Sequence, residues 1–276
     1  MLGKLLKQEF RATGRIMLPV FGALLLLSVL ANFSIRLLDA GVVQGTVLKF
    51  LAVFVIGIFI FGMIAAGFMT LFLMISRFYR NLLKDEGYLM HTLPVSVHGL
   101  VWSKLIVSLV WFIATGLVIT LILGLTALIQ SGTSLSEFFM QFPSWAELKQ
   151  FLASVGIRGG DITLFFTELG ALMLIGTLTG CLHFYAAMAM GHMFSKDKIL
   201  LSIVFFVALS FVLSLVTNLL GFRLSDLAGL SDEMNAEMLL LFTRKLLLFS
   251  LGAALLQGAL LYFATTFSLR RGLNLS

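Results

Sequence analysis

The residues of this 276-residue chain that could do chemistry gather in one apolar stretch. Cys181, His183, Tyr185 and His192 lie between Leu169 and Ser195, and Glu168 stands at the edge of that run. Ionisable side chains in an apolar run are functional candidates by default, as proton carriers or as polar points on a substrate path. Each also has a plainer reading. Cys181 is the one cysteine, so it forms no intramolecular disulfide and joins no Cys/His metal spacing. It reads as a small apolar side chain. Glu168 is close enough to the end of the run to stay wet, and His192 lies at the opposite end. His183 falls at membrane depth, where a lone histidine is commonly hydrogen-bonded between helices. Glu168 and His183 are therefore the candidates for a translocation path.

Other chemistries lack their motifs. There is no Gly-x4-Gly-Lys-Ser/Thr phosphate loop, so the chain is not expected to hydrolyse ATP itself. No paired carboxylates or His/Glu cluster within a run supports a metalloprotease, and no metal ligands are assigned. Serines accompany the histidines, but no nucleophile-elbow motif does, and no catalytic residue is assigned. No run carries the row of charges of a voltage sensor or proton relay. A translocation path, a structural role or a receptor for another protein remains.

The elements that must position these residues are apolar helices. The chain is 60% hydrophobic and 12% charged, with a mean hydropathy of +1.07. Soluble domains average about 25% charged residues, and a soluble protein this greasy would expose large sticky patches. The alternating ten-residue strands of an outer-membrane barrel are absent. Six runs contain no Asp, Glu, Lys or Arg: 16–35, 50–76, 105–136, 169–195, 199–222 and 246–269. Each reaches the ~20 residues that cross a bilayer core. A single Lys, Arg or Asp at the centre of such a helix would cost about 2.5–3.5 kcal/mol. The expected fold is an all-α membrane protein forming a single domain over 1–276. Its six spans are expected near 16–36, 49–76, 101–130, 164–192, 199–221 and 245–269.

Six spans put both termini on one side. That side, with the 77–104 and 196–198 bridges, holds 12 of the 19 Lys and Arg residues and 4 of the 13 acids. The net charge of +6 thus follows the positive-inside pattern and not a nucleic-acid surface. Both termini and both bridges are expected in the cytoplasm, with no nucleic-acid partner.

Residues 1–15 place Leu2, Leu5, Leu6 and Phe10 on one helical face and Lys4, Lys7, Arg11 and Arg15 on another. That pattern suits an amphipathic helix lying in the headgroup layer. A targeting peptide is the competing reading, with Val29-Leu30-Ala31 as a cleavage-site mimic. The apolar run is long for a signal core, and cleavage is not expected. Pro19 sits near the start of this run, where a missing N–H is tolerated. In the long connection from 130 to 163, Ser144-Trp-Ala-Glu147 has capping-box spacing. A short surface helix is expected there, with Trp145 as an interfacial anchor. The acidic connection 223–245 is expected to wind directly into the last span. Gly57, Gly62, Gly67, Gly170, Gly176 and Gly180 are expected to let helices approach closely.

The polar bridge Arg77–Lys104 joins the second and third spans. Phe78, Leu82 and Leu89 alternate with basic residues, so the second span should continue as a helix past the membrane, with Gly87 able to end it. Tyr88, Leu89, Met90 and Leu93 then make a compact apolar knob, punctuated by Pro94. A soluble partner gripping that knob could move both spans together. The plainer reading is a loop whose apolar residues dip into the membrane surface.

The run Asp85-Glu86-Gly87-Tyr88-Leu89, then Thr92-Leu93-Pro94-Val95-Ser96 and Ser103-Lys104, resembles the corresponding loop of bacterial type-2 ABC transporter permeases. The opening MLGKLLKQEF-RATGRIMLP is similar to that family's N-terminal segment, and Leu273-Asn274-Leu275 is compatible with its ending. The resemblance implies a membrane subunit of the bacterial plasma membrane, not itself an enzyme. Such a subunit works as a dimer with an identical or related permease. ATP and magnesium are held on a separate ATP-binding subunit, and no cofactor sits on this chain. It further implies a coupling helix within Asp85, Glu86, Gly87, Tyr88, Leu89, Thr92, Leu93 and Pro94, and an elbow helix at residues 2–15. ATP-driven closure would then export a hydrophobic or amphipathic substrate such as a drug, antimicrobial peptide or lipid. The lack of a large extracellular domain argues against subgroups that rely on one, such as bacitracin-sensing permeases. A different class stays open: a non-transporting scaffold or sensor that recruits a cytoplasmic partner.

Overall fold

The computed structural model describes residues 2–41, 45–84, 96–140, 143–154, 159–194, 196–228 and 236–271. The elements are α1 (Leu2–Asp39), α2 (Thr46–Phe78) with a π-helical turn (Tyr79–Leu83), α3 (Val97–Ser131), α4 (Leu135–Met140), α5 (Trp145–Ser154), α6 (Gly159–Gly191), α7 (Lys198–Ala228) and α8 (Ala236–Arg271). No strand occurs among the described residues. Six of these helices are long and apolar enough to cross a membrane, in the stretches expected from the charge-free runs. This is the build of a multi-pass membrane protein. Its exposed faces are crowded with Leu, Ile, Val and Phe, as lipid contact requires.

Three expectations need correction. Residues 2–15 are not a separate helix. They continue without a break into the first span, so that α1 is 38 residues long. At ~1.5 Å per residue this is about 57 Å, well beyond a ~30 Å hydrocarbon core. Pro19 consequently lies in the interior of the helix, where it has no N–H to donate to the Arg15 carbonyl. Lys4, Lys7, Arg11 and Arg15 are exposed, while Leu5, Leu6 and Phe10 are half-buried and Leu2 is exposed. The buried side of this stretch carries Glu9 and Thr13 instead.

The glycines also differ. A Cβ at Gly57, Gly67, Gly170, Gly176 or Gly180 would meet nothing within 4 Å, and only Gly62 of the six has close neighbours, Leu27 at 3.2 Å and Leu24 at 3.4 Å. Among the described glycines the tightest approach is at Gly191, where a Cβ would run into Ser202, against its Oγ and 2.6 Å from its backbone nitrogen. Helix packing selects by neighbour and not by glycine count. The third correction concerns the second span, which ends before Gly87. The Lys84 N–H donates to the Tyr79 carbonyl, 3.1 Å away and five residues back. That single π turn closes the helix.

The chain divides into two compact units, Met1–Met74 with Ile106–Phe142, and Ile75–Leu105 with Pro143–Ser276. In the first, Leu24, Ala31, Phe59, Ala66 and Ile122 form one apolar cluster. Met17, Phe21, Leu73 and Met74 form another, against Trp111. Neutral hydrogen bonds tie its helices. Trp111 Nε1 donates to Thr13 (2.8 Å), the Thr70 and Thr115 hydroxyls pair (2.9 Å), Asn32 donates to Thr126 (3.1 Å), and Gln130 donates to Asn32 (3.2 Å). Inside lipid such bonds hold helices together because bare polar groups have no water to turn to.

Two capping boxes start the short helices of the 130–163 connection. At α5, the Ser144 N–H donates to Glu147 Oε2 (2.7 Å) and the Glu147 N–H to Ser144 Oγ (3.2 Å), as the sequence spacing predicts. At α4, Ser134 and Glu137 repeat the pattern at 2.9 and 3.3 Å. The side chains of Trp145 and Leu148 lie outside the described residues.

Candidate functional site

The second unit holds both feet of the 77–104 bridge together with α6 and α8. Residues 85–95, including the expected knob from Asp85 to Pro94, lie outside the described residues. The feet are well defined. At the α2 foot, Phe78 and Tyr185 are both almost completely buried. Their rings stack with centroids 3.9 Å apart and planes 6° from parallel. Next along the chain, Tyr79 meets His192 edge-on at 5.4 Å. The turn carrying Tyr79 is the π turn, and its extra residue per turn rotates Asn81, Leu82 and Leu83 into buried positions.

At the α3 foot, Ser96 precedes the helix and its Oγ accepts the Gly99 N–H at 3.3 Å. His98 follows, bridging two residues of α8. Arg270 donates to His98 Nε2 at 2.6 Å, and His98 Nδ1 is 2.6 Å from the Tyr262 hydroxyl. A guanidinium can only donate, so Nε2 accepts and Nδ1 carries the proton given to Tyr262. His98 therefore ties the α3 foot to α8.

The packed seam between α6 and α8 runs away from these feet. Thr179 donates to the Ala254 carbonyl at 3.0 Å, and Gly258 sits opposite, where a Cβ would come within 3.0 Å of Thr179 Oγ1. Toward the N-terminal end of α6, Arg244 donates to Asp161 at 3.2 Å and to Glu168 at 3.1 Å. Asp161 and Glu168 are seven residues apart, which places both on one helical face. The Glu168 side chain is 13% exposed and that of Asp161 35%. Glu168 Oε2 and Arg244 Nε are buried without a hydrogen-bond partner among the described residues. Between this cluster and the feet lies a groove of about 280 Å³, walled by apolar side chains and by Trp102 and Tyr262.

Both candidate path residues thus take part in helix contacts. Glu168 is one of the two carboxylates bound to Arg244. His183 Nε2 lies 3.0 Å from Ser210 Oγ and 3.2 Å from the Phe206 carbonyl of α7, the interhelical bond of its plainer reading. Cys181 is buried, as expected of a small apolar side chain. His192 follows the last residue of α6, and its Nδ1–H donates to the Met188 carbonyl at 2.8 Å. Burial is the main influence that holds its pKa below the ordinary histidine value, opposed by the Met188 bond and assisted by the Lys198 charge. Among the described residues no group of three His, Cys, Asp or Glu could hold a metal ion.

Sequence reasoning missed three contacts. Phe78 and Tyr185 carry no pairing signal, because any two buried aromatics in a greasy chain look alike. The His98–Arg270 bond joins residues 172 apart. Arg244 reads as part of a connection, although the i, i+7 carboxylates of α6 were a legible request for a basic partner. In comparisons with protein-family models, curated proteins and solved structures, none matches the chain.

Proposed function

We propose that the chain is the membrane-spanning permease subunit of an ATP-driven ABC exporter in the bacterial plasma membrane, working as a dimer of permease chains. The carrying observation is that both feet of the 77–104 bridge are anchored to the helices of their own unit. One foot is anchored through the Phe78–Tyr185 stack on α6 and the other through His98 on α8. A bridge fixed at both ends to long apolar helices is a lever. A cytoplasmic ATP-binding subunit, with its ATP and magnesium, would grip the knob around Tyr88 and Leu89, and each closure would pull α6 and α8 through these two contacts. The fragments Asp85–Leu89 and Thr92–Ser96, which resemble the type-2 permease loop, lie between the two feet. The cargo is a hydrophobic or amphipathic molecule.

The test is purification in mild detergent followed by ATPase assay. An ATP-binding cassette subunit should copurify. Tyr88→Ala with Leu89→Ala should abolish the stimulation of its ATPase activity by substrate while membrane insertion stays normal. Recovery of a kinase, or of no nucleotide-binding protein, would favour the scaffold class instead. Unchanged stimulation in the double variant would remove the knob from its assigned role.

A further inference from the structure

We propose that the α6–α8 seam binds a single-chain amphiphile with a cationic, ammonium-type head. The groove supplies the chain's berth. Its wall includes Trp102, Ile175, Leu182, Leu255, Thr179 and Tyr262. The Thr179 hydroxyl proton is already given to the Ala254 carbonyl, and the Tyr262 oxygen already receives His98 Nδ1–H. Most of the remaining wall is aliphatic and aromatic carbon, suited to hydrocarbon.

Hydrocarbon alone gains little by leaving lipid for such a groove, since lipid tails are as apolar as leucine. Selectivity must come from the polar end of the seam. There, among the described residues, two carboxylates pair with one guanidinium, an excess of one negative charge within those ion pairs. Glu168 Oε2 has no hydrogen-bond partner among the described residues, and the Asp161 side chain is 35% exposed, so a second cation can reach it. The spacing connects the two ends. Asp161, Glu168, Ile175, Thr179 and Leu182 recur at intervals of seven, seven, four and three, which keeps them on one face of α6. Glu168 is about 10 Å from Ile175 along the axis, at ~1.5 Å per residue. A head held at the carboxylates can therefore lay its chain along the seam and into the groove. A neutral amphiphile forgoes the head contact, and an anionic one meets like charge.

The inference deepens the export reading by giving its cargo a charge, and rests on that reading only in taking the bound amphiphile to be cargo. The binding test needs no ATP-binding subunit. The full chain in phosphatidylcholine nanodiscs is titrated with dodecyltrimethylammonium, dodecanol and dodecyl sulfate, with empty nanodiscs as the reference. The ammonium should bind most tightly. Asp161→Asn should weaken it about tenfold, equivalent to ~1.4 kcal/mol, and leave dodecanol unchanged. Ala259→Phe, which fills the groove, should weaken both. Equal binding of ammonium and alcohol, preference for the sulfate, or indifference to Asp161→Asn would overturn the proposal. So would full binding by Ala259→Phe. Failure here leaves the coupling reading standing, because that reading is decided by recovery of the ATP-binding subunit.

Discussion

The two units solve the same problem, holding long helices together inside lipid, with different chemistry. In the first, the buried interhelical side-chain bonds run between neutral groups, Thr13 and Trp111, Thr70 and Thr115, Asn32 with Thr126 and Gln130, and the charged donor Arg36 reaches the Ile129 carbonyl only at an exposed end. Glu9 is the acid buried there. In the second, ions and imidazoles join in beside neutral bonds such as Thr179 to the Ala254 carbonyl and Gln257 to Thr217: Arg244 with Asp161 and Glu168, His98 with Arg270 and Tyr262, His183 with Ser210. Neutral bonds in membranes contribute about 0.6 kcal/mol each and at most ~1.7, and they do not respond to pH. Charged ones are expensive to place and disruptive to break. They are also the kind that a ligand, a proton or a pull on the bridge can rearrange. The contrast separates a set of fixed contacts from a set that can be worked.

The sharpest way to break the contrast is Arg244→Met. It strips the cation from two carboxylates that share a helical face. Removing one partner of a fully buried pair costs about 3–5 kcal/mol. The exposure of Asp161 lowers that figure here, so a loss near the bottom of the range is expected, read from thermal unfolding in detergent. Arg244→Met combined with Asp161→Asn and Glu168→Gln should recover most of the loss, because no uncompensated charge then remains. Failure to recover would mean that Arg244 acts through packing alone.

The neutral unit should respond more gently. Asn32→Leu removes the bond to Thr126 and the one from Gln130, yet leaves only neutral groups behind. The expected loss is about 1–2 kcal/mol, the sum of two membrane hydrogen bonds, in the same unfolding assay. A loss matching that of Arg244→Met would erase the difference between the units.

How much of this was legible in the sequence follows from the same physics. Charge-free runs report the penalty for burying ions, and that penalty is local, so the six helices long and apolar enough to cross a membrane were found. The Ser144–Glu147 cap was legible for the same reason, since a capping box is written in four consecutive residues. The Ser134–Glu137 cap has the identical spacing and could have been read with it. Contacts between distant residues were not legible. Which face of α6 meets α8, and so which of Glu168 and His183 pairs with what, depends on helix rotation, and an apolar helix carries little record of that. The long unbroken α1 was missed because amphipathicity at residues 2–15 marks an interface, while nothing between Phe10 and Pro19 marks a stop. Pro19 looks like a boundary and is accommodated within the helix instead.

The smallest predicted effect serves as a control on the comparison, because α4 belongs to one unit and α5 to the other. Hydrogen bonds from the Ser134 and Ser144 amides hold the Glu137 and Glu147 carboxyls below their ordinary pKa. A depressed carboxyl contributes stability that is present above its unfolded value of 4.5 and is lost as pH falls through the lower folded value. Acidification should therefore release the Ser134 and Ser144 amides, read as loss of their downfield proton shifts with midpoints below 4.5. The Glu137 and Glu147 amides should keep their bonds, since a serine hydroxyl accepts at any of these pH values. Both caps should titrate alike, because they lie outside the spans and the units differ in how they bind helices within them. Distinct midpoints would show that the difference between the units reaches into the connections as well.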